Sequence, residues 1–211
     1  LYSNLSVIVN FLSASPKRYA ELKFASEIEI AHKVATGELD TGRGCNQSRT
    51  LQRAGATRWS SHFGSVTRLI EMFGAASTVL ENIIDNAIES KVRLEADGAY
   101  NAMISFDFVF ALHLLYEVMG ITDMLCQALQ RKSIDILNAM SFVSSTKVLL
   151  QKLREDGWDT FFEKVMLFCG VHKIEVPEMN AQYKHGKRRS HHRDSITVEH
   201  HYRIDVFNAT I

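Results

Sequence analysis

At 211 residues the chain is long enough for one substantial hydrophobic core. Its 46% hydrophobic and 23% charged residues are typical of a globular protein and argue against a disordered chain. The formal net charge of zero excludes binding of polyanions by bulk charge, so contact with nucleic acid would need a local patch. Three scattered cysteines without a CxxC pair argue against a disulfide scaffold.

The first 37 residues predict two helices that lead into the rest of the chain. Leu5, Ile8 and Leu12 recur with helical spacing. Ser15 followed by Pro16 is a typical helix start, because the serine can cap the helix and proline tolerates its first turn. Gly37 suits the position just after the last turn.

Residues 38–57 form a predicted basic loop, in which glycines interrupt a polar stretch. Residues 41–70 contain no acidic side chain. They carry five arginines, Arg43, Arg49, Arg53, Arg58 and Arg68. Two interpretations remain open, a solvated loop or a segment that contacts phosphates.

Residues 58–177 predict a helical domain. The pattern favours a helix from Ser60 or Ser61, with a kink or division at Gly74. A turn is predicted at residues 95–98, followed by an apolar helix over 100–119 that ends at Gly120. A pair of strands competes for 100–119 because that segment is rich in aromatic residues. Its length and lack of a turn signal favour the helix.

The apolar run 106–119 is interrupted by Asp107, His113 and Glu117, so no membrane span is expected. Asp107 and His113 lie six residues apart and do not share a helical face well. We therefore expect polar residues at the edge of a core, with an acid–base pair as the competing interpretation.

After Gly120 the sequence predicts three more helices. The first covers 122–131, the second begins at a Ser133 cap, and the third begins at Asp156 and Gly157. Cys126 and Cys169 are expected to pack in a core. Pro177 closes this part of the chain.

Residues 178–199 form a predicted basic, flexible linker. Their His185, His191 and His192 lack the spacing of a zinc cluster, so neither a metal nor another cofactor is expected. Residues 200–211 alternate apolar and polar, which fits a strand or the start of a truncated helix. The chain contains no P-loop, no dinucleotide-binding glycine motif, no HExxH and no GxSxG.

The segment LQRAGATRWSSHF resembles the region around the Arg–Trp motif of hAT-superfamily transposases. The resemblance extends through EADGAYNAMISFDFVFALHLLYEVMGITDMLCQALQRKSIDILNAM and FVSSTKVLLQKLREDGWD to ITVEHHYRIDVFNA. It is closest to the plant zinc-finger MYM-type protein 1-like and TTF-type zinc-finger proteins that carry a hAT dimerisation domain. It covers nearly the whole chain.

The resemblance implies a ribonuclease H-like catalytic core interrupted by an all-α insertion domain, with this chain as the helical bundle of that insertion and a loop-rich tail. Three metal-binding acids act in such transposases, and no residue here matches any of them. We therefore expect an internal fragment that is not an enzyme, lies outside the dimerisation region, and is nuclear.

The same resemblance assigns Arg58 and Trp59 to a DNA-contacting motif, with Arg49 and Arg53 nearby. In the family the tryptophan is thought to stack on a flipped base, a task that an indole suits. Packing of Trp59 below the following helix is the competing interpretation. The expected function is a non-catalytic DNA-contacting module. The alternative is a helical scaffold that binds protein partners without nucleic acid.

Overall fold

The structure is a computed structural model that describes residues 2–37, 51, 59–130, 135–183 and 196–211. Over these residues the chain is almost wholly helical, which confirms the all-α prediction. Their β-pairing is limited to one isolated bridge between Gln182 and Thr197. The chain forms two compact units, unit 1 from Leu1 to Met119 and unit 2 from Gly120 to Ile211.

The described residues of unit 1 form six helices, the last of which continues into unit 2. They are α1 Tyr2–Ser13, α2 Pro16–Ala35, α3 Trp59–Glu71, α4 Phe73–Asn86, α5 Ser90–Met103 and α6 Phe106–Leu129. The predicted start of α2 is confirmed, since Ser15 has an extended backbone and Pro16 occupies the first turn. The Ser15 side chain, however, makes no capping hydrogen bond. Gly37 follows α2 with φ of 75°, a conformation that favours glycine.

The core of unit 1 lies where α4 packs on α2 and α5, and where α1 packs on α5. Its largest fully buried side chains include Leu5, Leu12, Phe73, Leu80 and Phe110. Gly74 lets α2 approach α4, because a Cβ there would lie 3.0 Å from a carboxylate oxygen of Glu29. A groove runs between these two helices.

Two predicted boundaries in unit 1 are wrong. The division between α3 and α4 falls at Met72 rather than at Gly74. The expected turn at 95–98 lies inside α5, because Ala96 and Ala99 are buried and hold that segment in the helix. The break comes later, at Ile104 and Ser105, where the serine hydroxyl accepts a hydrogen bond from the N–H of Phe108 at 3.3 Å.

Helix α6 confirms the helical interpretation of the apolar run, but it does not end at Gly120 as predicted. A glycine inside a helix costs only about 1 kcal/mol, and the apolar residues on both sides outweigh that cost. By length and composition α6 could cross a membrane. Val109, Phe110 and Leu112 are nevertheless fully buried, as in the central helix of a globular unit.

Unit 2 also contains α7 Ile136–Asp156, α8 Trp158–His172 and a C-terminal helix. Ser133 lies outside the described residues, and the cap of α7 is Asp135, whose carboxylate accepts the N–H of Asn138 at 2.8 Å. Gly157 lies between α7 and α8, and the Leu153 carbonyl oxygen leaves no room for a Cβ there. Lys173 ends α8 with a left-handed backbone.

The C-terminal segment is a helix rather than a strand. It begins as an α-helix at Val198–His200 and continues as a π-helix at His201–Asn208. The hydroxyl of Thr197 caps it by accepting the N–H of His200 at 3.1 Å. Phe207 is fully buried, and its ring centroid lies 5.0 Å from Phe161 of α8. This aromatic contact forms the centre of unit 2.

Candidate functional site

The Arg–Trp motif lies at the start of α3, which begins at Trp59. The backbone of Trp59 is described, but its side chain is not. Arg49, Arg53 and Arg58 lie outside the described residues. The position of the motif is therefore known only from the start of α3.

Helix α3 is anchored in unit 1 by its apolar side. Val66 and Leu69 are fully buried. The ring of Phe63, one turn after Trp59, lies 5.7 Å from the ring of Tyr116 in α6. Aromatic pairs at this separation are worth about 0.5–1.5 kcal/mol beyond their buried area. The second turn of α3 thus contacts helix α6.

The charges around α3 favour an anion at its start. Its first turn carries no acidic residue, and the N-terminus of a helix has a partial positive charge. Arg68, in the last turn, is paired with Glu71 at 3.2 Å, so its charge is locally balanced. The net positive charge of this region therefore comes from the arginines that precede α3 in sequence.

The proposed acid–base pair on α6 is not assembled. Asp107 is exposed in the first turn of the helix. His113 is buried, and its Nδ1 donates a hydrogen bond to the carbonyl oxygen of Val109 at 2.9 Å. These two side chains thus belong to different environments on one helix, in agreement with the expectation of ordinary structural residues.

Unit 2 contains a polar cleft that the sequence pattern did not predict. It has a volume of about 420 Å³ and lies between the junction of α7 with α8 and the C-terminal helix. Its lining includes Arg154, Glu155, Glu199, His200 and Arg203. Its two guanidinium groups are balanced by two carboxylate groups, so it suits a polar or zwitterionic ligand better than a polyanion.

Trp158 lines one side of this cleft. The guanidinium carbon of Arg203 lies 5.8 Å from the centroid of the Trp158 ring, within cation–π range. Arg203 also lies 3.9 Å from a carboxylate oxygen of Glu199. Arg203 lies in the π-helical part of the C-terminal helix. Sequence periodicity identified Trp158 only as an apolar residue and gave no signal for the π-helix.

The thiols of Cys126 and Cys169 in unit 2 both have a raised pKa. Burial raises the pKa of the Cys169 thiol to about 11, which keeps it protonated near neutral pH. Burial, followed by the nearby Asp123 carboxylate, also raises the pKa of the half-buried Cys126. The prediction of core packing is confirmed for Cys169, which is buried, but not for Cys126, which is only half-buried.

Within the described ranges no group of three or more His, Cys, Asp or Glu side chains is placed to hold a metal ion. His185, His191 and His192 lie outside those ranges. No protein-family model matches the chain. No solved structure matches it significantly.

Proposed function

We propose that the chain is a non-catalytic helical part of a hAT-type transposase-derived protein and that it contacts DNA through the Arg58–Trp59 motif. The observation that carries this proposal is the position of the motif at the start of α3, after a segment rich in arginine and free of acids. The resemblance of the surrounding sequence supports the family. A nuclear location follows from the same proposal.

The chemistry of the contact is stacking combined with phosphate binding. An indole that stacks on an unpaired base contributes about 1–3 kcal/mol, and it tolerates any base because every base has a π-face. Arg58 pairs with a neighbouring phosphate, with Arg49 and Arg53 adding charge. The start of α3 adds its partial positive charge to the same site. Such binding is sensitive to salt and tolerant of sequence.

The first experiment measures the affinity of the chain for a labelled DNA hairpin with unpaired bases by fluorescence anisotropy. We expect Trp59→Ala to weaken binding roughly 5- to 150-fold, the equivalent of one lost stacking contact. Arg58→Ala weakens it and lowers the salt dependence. The matched control is Arg93→Ala, which removes an exposed arginine of α5. Binding that neither motif variant changes would exclude Arg58 and Trp59 from the site.

We further propose that the chain does not cleave DNA by itself, because the acids that bind the catalytic metals in such transposases have no counterpart in it. The purified chain should leave supercoiled and hairpin DNA intact in Mg²⁺ or Mn²⁺. Cleavage that depends on either ion and copurifies with the chain would contradict this part of the proposal.

The second candidate function is a helical scaffold for protein partners, and α7 favours it. This helix exposes Leu137 by 81%, Ile136 by 78% and Val148 by 67%. Apolar side chains in such a run mark interaction surfaces. Light scattering that shows a stable oligomer without any DNA shift, returned to monomer by Leu137→Glu, would favour the scaffold over the DNA contact.

A further inference from the structure

Helix α2 of unit 1 is apolar on two opposite sides. Its inner side buries Leu22 and Ser26. Phe24 and Ile28 lie about half a turn away from these residues, since successive side chains are separated by about 100°. Phe24 is 65% exposed and Ile28 is 55% exposed. The outer side thus presents two large apolar side chains one turn apart, in the manner of a helix that lies between two layers.

These side chains border a groove between α2 and α4, here called the α2–α4 groove. It has a volume of about 650 Å³. Its apolar lining consists of Phe24, Ala25 and Ile28 of α2 with Gly74, Ala75 and Val79 of α4. Small residues beside large ones give a surface of ridges and hollows, which is the shape that a second helix packs against.

A carboxylate and an imidazole at the groove are placed for an antiparallel helix. Glu21 and His32 both line it, eleven residues apart along α2, which is about 16 Å. A second copy of α2 can pack antiparallel to the first, with the twofold axis at the level of Ser26 and Glu27. Each Glu21 then lies opposite the partner's His32. The same register places each Ile28 over the partner's Ala25, a large side chain on a small one. A parallel copy would place like groups together instead.

We propose that the α2–α4 groove binds a second copy of this chain, through twofold antiparallel packing of α2 on α2. A twofold interface uses the same patch on both partners, so one self-complementary surface is sufficient. Lys33 at the groove is paired with Glu29 at 2.6 Å and Glu21 adds a second carboxylate, so the groove has no excess positive charge that would favour DNA. The dimer depends on neither the Arg58–Trp59 motif nor the exposed side of α7.

Analytical ultracentrifugation of the chain over a range of concentrations tests the proposal. We expect a monomer–dimer equilibrium in which Phe24→Glu raises the dissociation constant on the order of 30-fold or more, as for a central apolar contact. Phe24→Ser should act in the same direction. The matched control Leu94→Glu changes a similarly exposed apolar residue of α5 and leaves the equilibrium unchanged. Circular dichroism confirms that each variant keeps its helix content.

A charge reversal tests the register. His32→Glu places a carboxylate opposite the partner's Glu21 and weakens the dimer, and adding Glu21→Arg restores it. Within one chain these residues are too far apart to pair, so this rescue reports a contact between copies. A chain that stays monomeric at every concentration overturns the proposal. A dimer that tolerates Phe24→Glu, or that Leu137→Glu dissociates, places the interface elsewhere and also overturns it.

Discussion

Unit 1 and unit 2 use similar helices in different ways. In unit 1 most large apolar side chains of α4 and α6 enter a common core, and α6 holds Val109, Phe110 and Leu112 without exposure. In unit 2 the core is a small aromatic cluster around Phe161 and Phe207, whereas α7 exposes most of its apolar residues. Helical periodicity in the sequence therefore predicts a helix in both units, but it does not show whether an apolar side is covered.

The largest effect on stability is expected in the core of unit 1. Phe110→Ala should lower the free energy of unfolding by roughly 3–5 kcal/mol, because it removes a fully buried ring and leaves a cavity. Chemical denaturation followed by circular dichroism measures the change. Ile88→Ala, at a fully exposed position, serves as the control and should have almost no effect. Equal losses for the two variants would contradict the assigned core.

The second prediction concerns the small core of unit 2. Burial raises the pKa of Cys169 from its ordinary value of 9.0 to about 11. At pH 8 its thiolate is therefore roughly 100-fold scarcer than that of an unfolded cysteine, and alkylation should be slower by at least that factor. Mass spectrometry of iodoacetamide-treated protein, with and without denaturant, gives the two rates.

The same shift has a consequence for stability. An unfolded Cys169 loses its proton before the folded one, so its contribution to stability is complete below about pH 9 and falls as the pH rises towards 11. A Cys169→Ala variant should lack this part of the alkaline dependence. Rapid alkylation of Cys169 in the native protein at pH 8 would show that this core is open.

A smaller effect is expected at the start of the C-terminal helix. Thr197→Ala removes the hydroxyl that caps the N–H of His200, and such a loss costs about 1 kcal/mol. Thermal unfolding measures it, and Thr197→Ser should keep most of the stability because it retains the hydroxyl. If the serine variant were as unstable as the alanine variant, the lost methyl group rather than the cap would be responsible.

The smallest expected effect is on α7. Leu137→Ser should change the stability of the monomer by less than about 0.5 kcal/mol, because Leu137 contributes little to the core of unit 2. Phe161→Ala in the same unit should cost several times more. Chemical denaturation at low protein concentration measures the free energy of unfolding of both variants. A loss of about 2 kcal/mol for Leu137→Ser would mean that the chain itself covers this side of α7.

The elements that could be predicted from the sequence are those with strong local signals. Ser15 and Pro16 fix the start of α2, Gly37 follows its end, and Gly157 separates α7 from α8. The breaks at Met72 and Ile104 differ from the predicted positions, because neither residue carries a turn signal and nearby glycines favour other positions. The proposal that Arg58 and Trp59 contact DNA rests on a resemblance, since an arginine followed by tryptophan has no distinctive pattern of its own.

The sequence by itself determined that this chain is helical, because long segments of period 3.6 free of proline bury their apolar sides only as helices. Only the tertiary structure decided which of those sides is covered. Phe24 and Leu112 look alike in sequence, yet one is largely exposed beside the α2–α4 groove and the other is fully buried. Burial depends on contacts with residues distant in sequence, so a local sequence pattern cannot predict it. The polar cleft around Arg203 was missed for the same reason.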